Sequence, residues 1–367
     1  MDGKIQVLFW EETEFGRFQD ALYYTDEQWP AVTEDQIRQE TRKRIDSWLA
    51  HLNASGMSPI PVEIVPAKVL MLFGAGASYG ARGISPQAPP LGPGLFEELQ
   101  KAFPDTWGKV SNAIARIFKD NPEKGMEALG MDLFRLAPDM SIYFSRFQIQ
   151  NTTQNQYCRL IRNFKDHILG GDILLSTLNY ECLIEDALAK YQIGTAYNDN
   201  PLKGAARVLK VHGSCNFIPE NFLAPRSAGS TISASQKATI NTSIKIVPAK
   251  EVAQELDKTG IGSAMSMYTE HKESPICALQ LKQLRSEFIK YCRAAKVIIT
   301  IGVKPNPEDA HIWGTIADSG ATIYVCADEG TSNDWIEKWG NGKAYWIGEK
   351  FAESWHAIRK KIEEGLA

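Results

Sequence analysis

The chain contains no Cys-x-x-Cys pair, no long apolar run and no large excess of charge, and each absence removes a class of function. Its six cysteines, Cys158, Cys182, Cys215, Cys277, Cys292 and Cys326, lie far apart. Structural zinc modules hold their metal with closely spaced cysteine pairs, so neither a zinc module nor any other metal is expected. Isolated thiols in a reducing compartment are mostly small core residues. No stretch approaches the roughly 20 apolar residues a membrane span requires. The opening Met1-Asp2-Gly3-Lys4 leads into mixed charge rather than the apolar core of a secretory signal. A cytoplasmic protein without membrane contact is therefore expected. A formal net charge of -4 supplies no electrostatic reason to expect direct nucleic-acid binding.

What is present is an ordinary globular composition, with 44% hydrophobic and 23% charged residues over 367 positions. Residues 1–65 read as a helical N-terminal cap and linker. Thr33-Glu34-Asp35-Gln36 fits a capping box, and Ile37, Ile45, Trp48, Leu49 and Leu52 fall on one helical face. Pro59, Pro61 and Pro66 then mark a linker. Beyond it come short, continuously apolar runs: Val69 to Phe73, Ile173 to Thr177, Val208 to Val211, Val297 to Ile301, Thr322 to Cys326 and Ala344 to Ile347. Such runs suit strands buried on both faces. Helical patterns lie between several of them, at Asn155 to Leu169, Tyr180 to Tyr191 and Leu279 to Ala295.

The fold class expected is α/β: a Rossmann-like open parallel sheet with helices on both faces. Residues 66–330 form this domain, with insertions near 95–150 and 216–275. The first insertion is helical, with breaks at Pro104, Pro122 and Pro138; the second holds a Ser-rich surface loop at Ser227 to Ser235. Residues 331–367 supply a last strand and a closing helix bearing Phe351, Trp355, Ile358 and Ile362. No internal repeat is evident.

Several runs end in polar or glycine-rich turns, where open α/β sheets bind ligands. The first leads into Gly74-Ala75-Gly76-Ala77-Ser78. Gly74 allows a tight turn, Gly76 a close approach of backbone to a pyrophosphate, and Ser78 a hydroxyl donor to the same group. Glycine-rich turns of this kind also occur where nothing binds. The third glycine of the usual dinucleotide fingerprint is replaced by Tyr79, and no Gly-Lys-Ser/Thr follows, which excludes a P-loop. The second run ends in Thr177-Leu178-Asn179-Tyr180-Glu181, where Asn179 either caps a helix starting at Tyr180 or faces a ligand. The third delivers His212-Gly213-Ser214, a histidine that is either structural or a base active near neutral pH. The fourth runs through Gly302-Val303-Lys304-Pro305-Asn306 to Asp309 and His311, a site loop or a simple helix cap. The fifth ends at Asp328, a carboxylate that could hydrogen-bond an adenosine ribose.

Taken in order, G-A-G-A-S, T-L-N-Y-E, H-G-S and I-G-V-x-x-N-P-x-D-x-H resemble the sirtuin-like superfamily over roughly residues 66–330. The match is nearest to the bacterial sirtuin-like NAD glycohydrolases of anti-phage defence. The resemblance implies that NAD⁺ is the substrate, that Gly74, Ala75, Gly76 and Ser78 cradle its pyrophosphate, and that Asn179 and His212 are catalytic. It places Thr177, Gly213, Ser214, Gly302, Asn306, Asp309 and His311 around the dinucleotide. It also implies a regulated enzyme, homo-oligomeric or restrained by a partner encoded nearby. Three departures argue against acyl-lysine chemistry. The deacetylase zinc module is absent, Ala81 to Pro86 only loosely echoes the Gly-Ile-Pro-x-Phe-Arg stretch, and Tyr180-Glu181 replace Ile-Asp after the asparagine. An NAD⁺-dependent protein deacylase and a non-catalytic NAD⁺- or ADP-ribose-sensing module are the alternative readings.

Overall fold

The computed structural model describes residues 4–13, 16–25, 28–54, 67–130, 132–197, 204–220, 242–266, 276–305 and 309–367. The chain divides into two compact units, Met1–Val65 and Pro66–Ala367.

The first unit corrects the expectation of a purely helical cap. Strands Lys4–Thr13 and Gly16–Thr25 pair antiparallel along their full length, from Lys4 opposite Thr25 to Thr13 opposite Gly16. Ile5, Val7, Phe9 and Trp10 on one strand and Phe18, Tyr23 and Tyr24 on the other are strand-favouring residue types. The helix Glu34–Ala54 follows, opened by the expected capping box. The Thr33 N–H donates to Gln36 Oε1 (2.8 Å), and the Gln36 N–H donates to Thr33 Oγ1 (3.3 Å).

The second unit is built on a seven-stranded sheet. Its strands are β1 Val69–Phe73, β2 Ile173–Thr177, β3 Gly194–Ala196, β4 Ala205–Lys210, β5 Val297–Ile301, β6 Thr322–Cys326 and β7 Ala344–Gly348. They lie in the order β7-β6-β5-β1-β2-β4-β3, and every neighbouring pair is parallel. All five residues of β1, β2 and β5 are buried. Since side chains alternate between faces, both faces of the sheet centre are covered, which accounts for the unbroken apolar runs. The short edge strand β3 carries Gly-Thr-Ala and gave no such run.

Helices surround the sheet. Gln156–Leu169, capped by Asn155 onto the Tyr157 and Cys158 amides, Ala278–Ala294 and the closing Trp355–Leu366 lie close to where the periodicity predicts them. Phe351, Trp355, Ile358 and Ile362 are all buried. The 95–150 region is helical, but Pro138 sits inside Asp132–Ser145 instead of ending it. Burial of Leu136, Met140 and Tyr143 on either side holds that helix together across the missing N–H. This insertion is part of the main core: Leu95, Leu99, Trp107, Phe118 and Met126 share one cluster with Val69, Met71 and Phe73. Ser227 to Ser235 lies outside the described residues. All six cysteines are free and buried. No helix among the described residues is long and apolar enough to cross a membrane.

Register prepares the site. Phe73 stands opposite both Thr177 and Ile301, Thr177 opposite Lys210, and Ile301 opposite Cys326. Five strand ends therefore finish level. Chain order reverses direction between β1 and β5, which makes this edge the topological switch point where α/β sheets open a crevice.

Candidate active site

The turn after β1 is packed against the turn after β5. The Gly74 N–H donates to the Ile301 carbonyl and the Gly76 N–H to the Gly302 carbonyl, both at 3.0 Å. A Cβ on Gly76 would stand 2.9 Å from Gly302 Cα, and one on Gly302 would stand 2.0 Å from the Ala77 nitrogen. Gly302 also has φ +63°, in the left-handed region. The glycines at 74, 76 and 302 are thus required by backbone meeting backbone, before any ligand is considered. The helix that follows, Ala75–Tyr79, is one short turn.

Ser78 does not face outward. It is buried, and its single proton goes to Glu181 Oε1 at 2.5 Å. The same oxygen of Ser78 accepts from Asn179 Nδ2 (3.0 Å) and lies 2.8 Å from the Tyr157 hydroxyl. Burial, and after it the charge of Glu181, pushes the Tyr157 phenol well above its ordinary range, so Tyr157 stays protonated and donates. The expected hydrogen bond from Ser78 to a pyrophosphate is therefore corrected: this hydroxyl is committed to the protein interior.

Asn179 is half-buried and sits on the loop that continues β2. The helix beyond it starts at Leu183, so Asn179 caps nothing. Its amide nitrogen donates to the Gly74 carbonyl (3.0 Å) as well as to Ser78. Thr177 is buried, donates to the Phe73 carbonyl (3.2 Å) and accepts from the Asn179 N–H (3.0 Å). Thr177 thus shapes the loop from behind it.

His212 follows β4 and is brought beside His311, at the start of helix Ala310–Ala317, with their Nε2 atoms 3.1 Å apart. Two facing ring nitrogens at that distance need one N–H and one lone pair, so the pair shares a single proton along that line. Gly213, with φ +79°, turns the chain inward; a Cβ there would lie 2.1 Å from the Ala264 carbonyl oxygen. Ser214 is buried and donates to the Tyr180 carbonyl (3.2 Å). Gly213 and Ser214 seat the histidine and do not reach the cavity.

A cavity of about 660 Å³ opens over the level strand ends, within the span usual for small-molecule sites. Its wall includes Gly74, Ala75, Gly76, Asn179, His212, Gly302 and Asp309. Of the residues expected in the site, Thr177, Ser78, Gly213 and Ser214 lie behind this wall, His311 touches it through His212, and Asn306 is outside the described residues. Asp328 is on the wall too, and its carboxylate also caps helix Glu329–Trp339 by accepting from the Thr331 N–H at 3.0 Å. Sequence reasoning passed over Tyr79, Leu91, Pro93 and Lys350, which line the cavity together with Lys304.

It also passed over the charged support beneath. Lys210 is fully buried at the end of β4, donating to the Glu181 carbonyl (2.6 Å) and pairing with Glu185 (3.2 Å). Burial alone would lower its pKa, but Glu185 first, with further help from Cys182 and Glu181, outweighs that and raises it above the ordinary lysine range. A lysine inside the apolar run Val208 to Val211 was the available signal, because a buried lysine must be paired.

No protein-family model matches the chain, and no curated protein matches it. Among solved structures, it is similar to a Sir2 homologue in complex with NAD, at 15% identity and a TM-score of 0.37, covering 83% of this chain and 93% of that one. A structure addressing sirtuin substrate affinity gives 14% identity, a TM-score of 0.38, and coverage of 87% and 98%. Sir2 bound to the inhibitor EX-527, 2′-O-acetyl-ADP-ribose and a deacetylated p53 peptide gives 12%, 0.36, and 82% and 94%. At identities and scores this low, neither a family nor an activity follows.

Proposed function

We propose that this chain binds NAD⁺ in the cavity at the switch point and hydrolyses it to ADP-ribose and nicotinamide. The observation that carries the reading is that Asn179 and His212, on separate strand ends, border one cavity together with the Gly74–Gly76 turn. The cavity suits an extended dinucleotide by position: glycine backbone at the strand crossover, Lys304 and Lys350 among Asp309, Asp328 and Glu349 as the cations available to a phosphate, and apolar Leu91 and Pro93 for a ring.

The chemistry asks little of the leaving side. Nicotinamide departs neutral from a cationic pyridinium, taking the electron pair of its bond to the ribose C1′. Water attacks C1′ and forms the new C–O bond, and its proton passes to His212 as general base at Nδ1, since Nε2 is turned to His311 and carries the shared proton. His311, in hydrogen-bond contact with His212, shares the charge so formed. Asn179 holds the water or a ribose hydroxyl in line, and fixed geometry supplies the remainder of the acceleration. Each turnover converts NAD⁺ and water to ADP-ribose, nicotinamide and a proton.

An enzyme of this kind depletes a cellular NAD⁺ pool, so it is restrained at rest. We assign that restraint to self-association or to a partner protein, in keeping with a role in anti-phage defence. Incubating the purified chain with NAD⁺, with and without an acylated peptide, and resolving products by chromatography tests the reading. Peptide-independent release of nicotinamide and ADP-ribose is expected. Release only with peptide identifies a deacylase, and NAD⁺ binding with no release under any condition identifies a sensing module. Size-exclusion chromatography coupled to the same assay, with and without the products of neighbouring genes, tests the restraint; a monomer that is equally active alone and in the presence of those products refutes it.

A further inference from the structure

Resting on that hydrolase reading, we propose that Glu181, acting through Ser78, sets the orientation of the Asn179 carboxamide, so that Asn179 offers the substrate an acceptor and no donor. The directions of the protons leave one arrangement. The Gly74 carbonyl can only accept, so the amide nitrogen of Asn179 must lie on that side, at 3.0 Å. Its second N–H goes to Ser78 Oγ, also at 3.0 Å. Ser78 can receive it because its own proton goes to Glu181 Oε1. Glu181 cannot turn away, because Oε2 accepts the Leu183 N–H at 3.0 Å. Both amide protons of Asn179 are thus engaged within the protein, and the carbonyl oxygen is what this cavity-lining side chain has left to present.

The consequence is chemical. A lone acceptor holds an O–H, from a ribose hydroxyl or a water, and repels the nicotinamide carbonyl and the phosphate oxygens. Glu181 and Ser78 are positioning residues, since both are buried and neither lines the cavity. Asn179 has Glu181 two residues further along the chain and Ser78 about a hundred residues before it, so the device exists only once β1 and β2 are side by side.

The test uses the full chain and the variants Ser78→Ala and Glu181→Gln. The second substitution keeps the side-chain volume but leaves one acceptor oxygen where two are needed. Each variant is expected to lose roughly 10²-fold in kcat with KM for NAD⁺ within about threefold, the pattern of misplaced rather than absent chemistry. With NAD⁺ lacking the 2′-hydroxyl on the nicotinamide ribose, losses that do not add to the Ser78→Ala loss identify that hydroxyl as the group held. Additive losses identify water. A second readout needs no turnover: hydrogen exchange of the Asn179 side-chain amide, recognised in the NMR spectrum by its disappearance in Asn179→Asp. Slow exchange in the native chain and fast exchange in both variants is expected. Unchanged kcat in both variants, or an amide that exchanges equally fast in native and Ser78→Ala protein, overturns the proposal while leaving the hydrolase reading intact. An inactive native chain whose Asn179 amide is protected and then exposed by Ser78→Ala removes the hydrolase reading and keeps the orientation.

Discussion

The two walls of the cavity are made of different material. The wall carried by β1, β2 and β4 rests on a buried polar lattice in which Ser78, Tyr157, Asn179, Glu181, Glu185 and Lys210 hold one another through directed protons. The wall carried by β5, β6 and β7 presents a glycine turn and then exposed charge: Lys304, Asp328, Glu349 and Lys350. In a low-dielectric interior, hydrogen bonds are strong and side chains have few rotamers, so the first wall fixes atoms to the tolerance that bond breaking demands. Charges in water are screened and adaptable, and they suit recognition of a phosphate that only has to be attracted. On the proposed hydrolase reading, that difference puts the chemistry on the first wall and the affinity on the second.

Substitutions can sharpen or break that division. On the first wall, His212→Ala is expected to lower kcat by roughly 10²–10⁴-fold with the fold retained, as measured by nicotinamide release alongside circular dichroism. A folded variant hydrolysing at the native rate would take the base out of the mechanism. Beneath the same wall, Lys210→Met leaves the partly buried Glu185 without its cation, and a loss of about 3 kcal/mol in urea unfolding is expected. Because the lysine pKa is raised on folding, the contribution of Lys210 is whole at neutral pH and begins to fade only as pH rises past 10.5, its unperturbed value. A stability profile flat through that range in native protein, or a Met variant within about 1 kcal/mol of it, would contradict the pairing.

At the seam between the walls, Gly302→Ala meets the Ala77 nitrogen and a positive φ together. It should cost about 1–3 kcal/mol from the backbone conformation alone and lower the melting temperature accordingly. On the second wall, Lys304→Ala and Lys350→Ala should raise KM for NAD⁺ by about two- to fivefold with kcat untouched, and added salt should erase the difference. If either lysine variant reduced kcat as severely as His212→Ala, the division between the walls would fail.

The residues of β1, β2 and β5 were legible because they are buried on both faces and so read as continuous apolar runs, and β6, partly exposed on one face, also occurs where such a run stands. The N-terminal hairpin was missed because its strands mix charged with aromatic residues. The positions of Asn179 and His212 at strand ends were legible as well. The task of Ser78 was not: from the string it is one more hydroxyl after a glycine turn, and nothing local shows that Glu181 takes its proton. Thr177, Gly213 and Ser214 looked like ligand contacts for the same reason, since a strand-end residue can point toward the crevice or behind it.

By itself the sequence determined which segments become central strands and which turns must be glycine, because burial and backbone sterics act locally on residue type. Only the tertiary structure decided which polar side chains meet. The level register of the parallel strands sets residues about a hundred positions apart side by side, and a hydrogen bond requires both partners at once. No stretch of this chain contains the pair His212–His311 or the trio Ser78, Asn179 and Glu181; the sheet makes them.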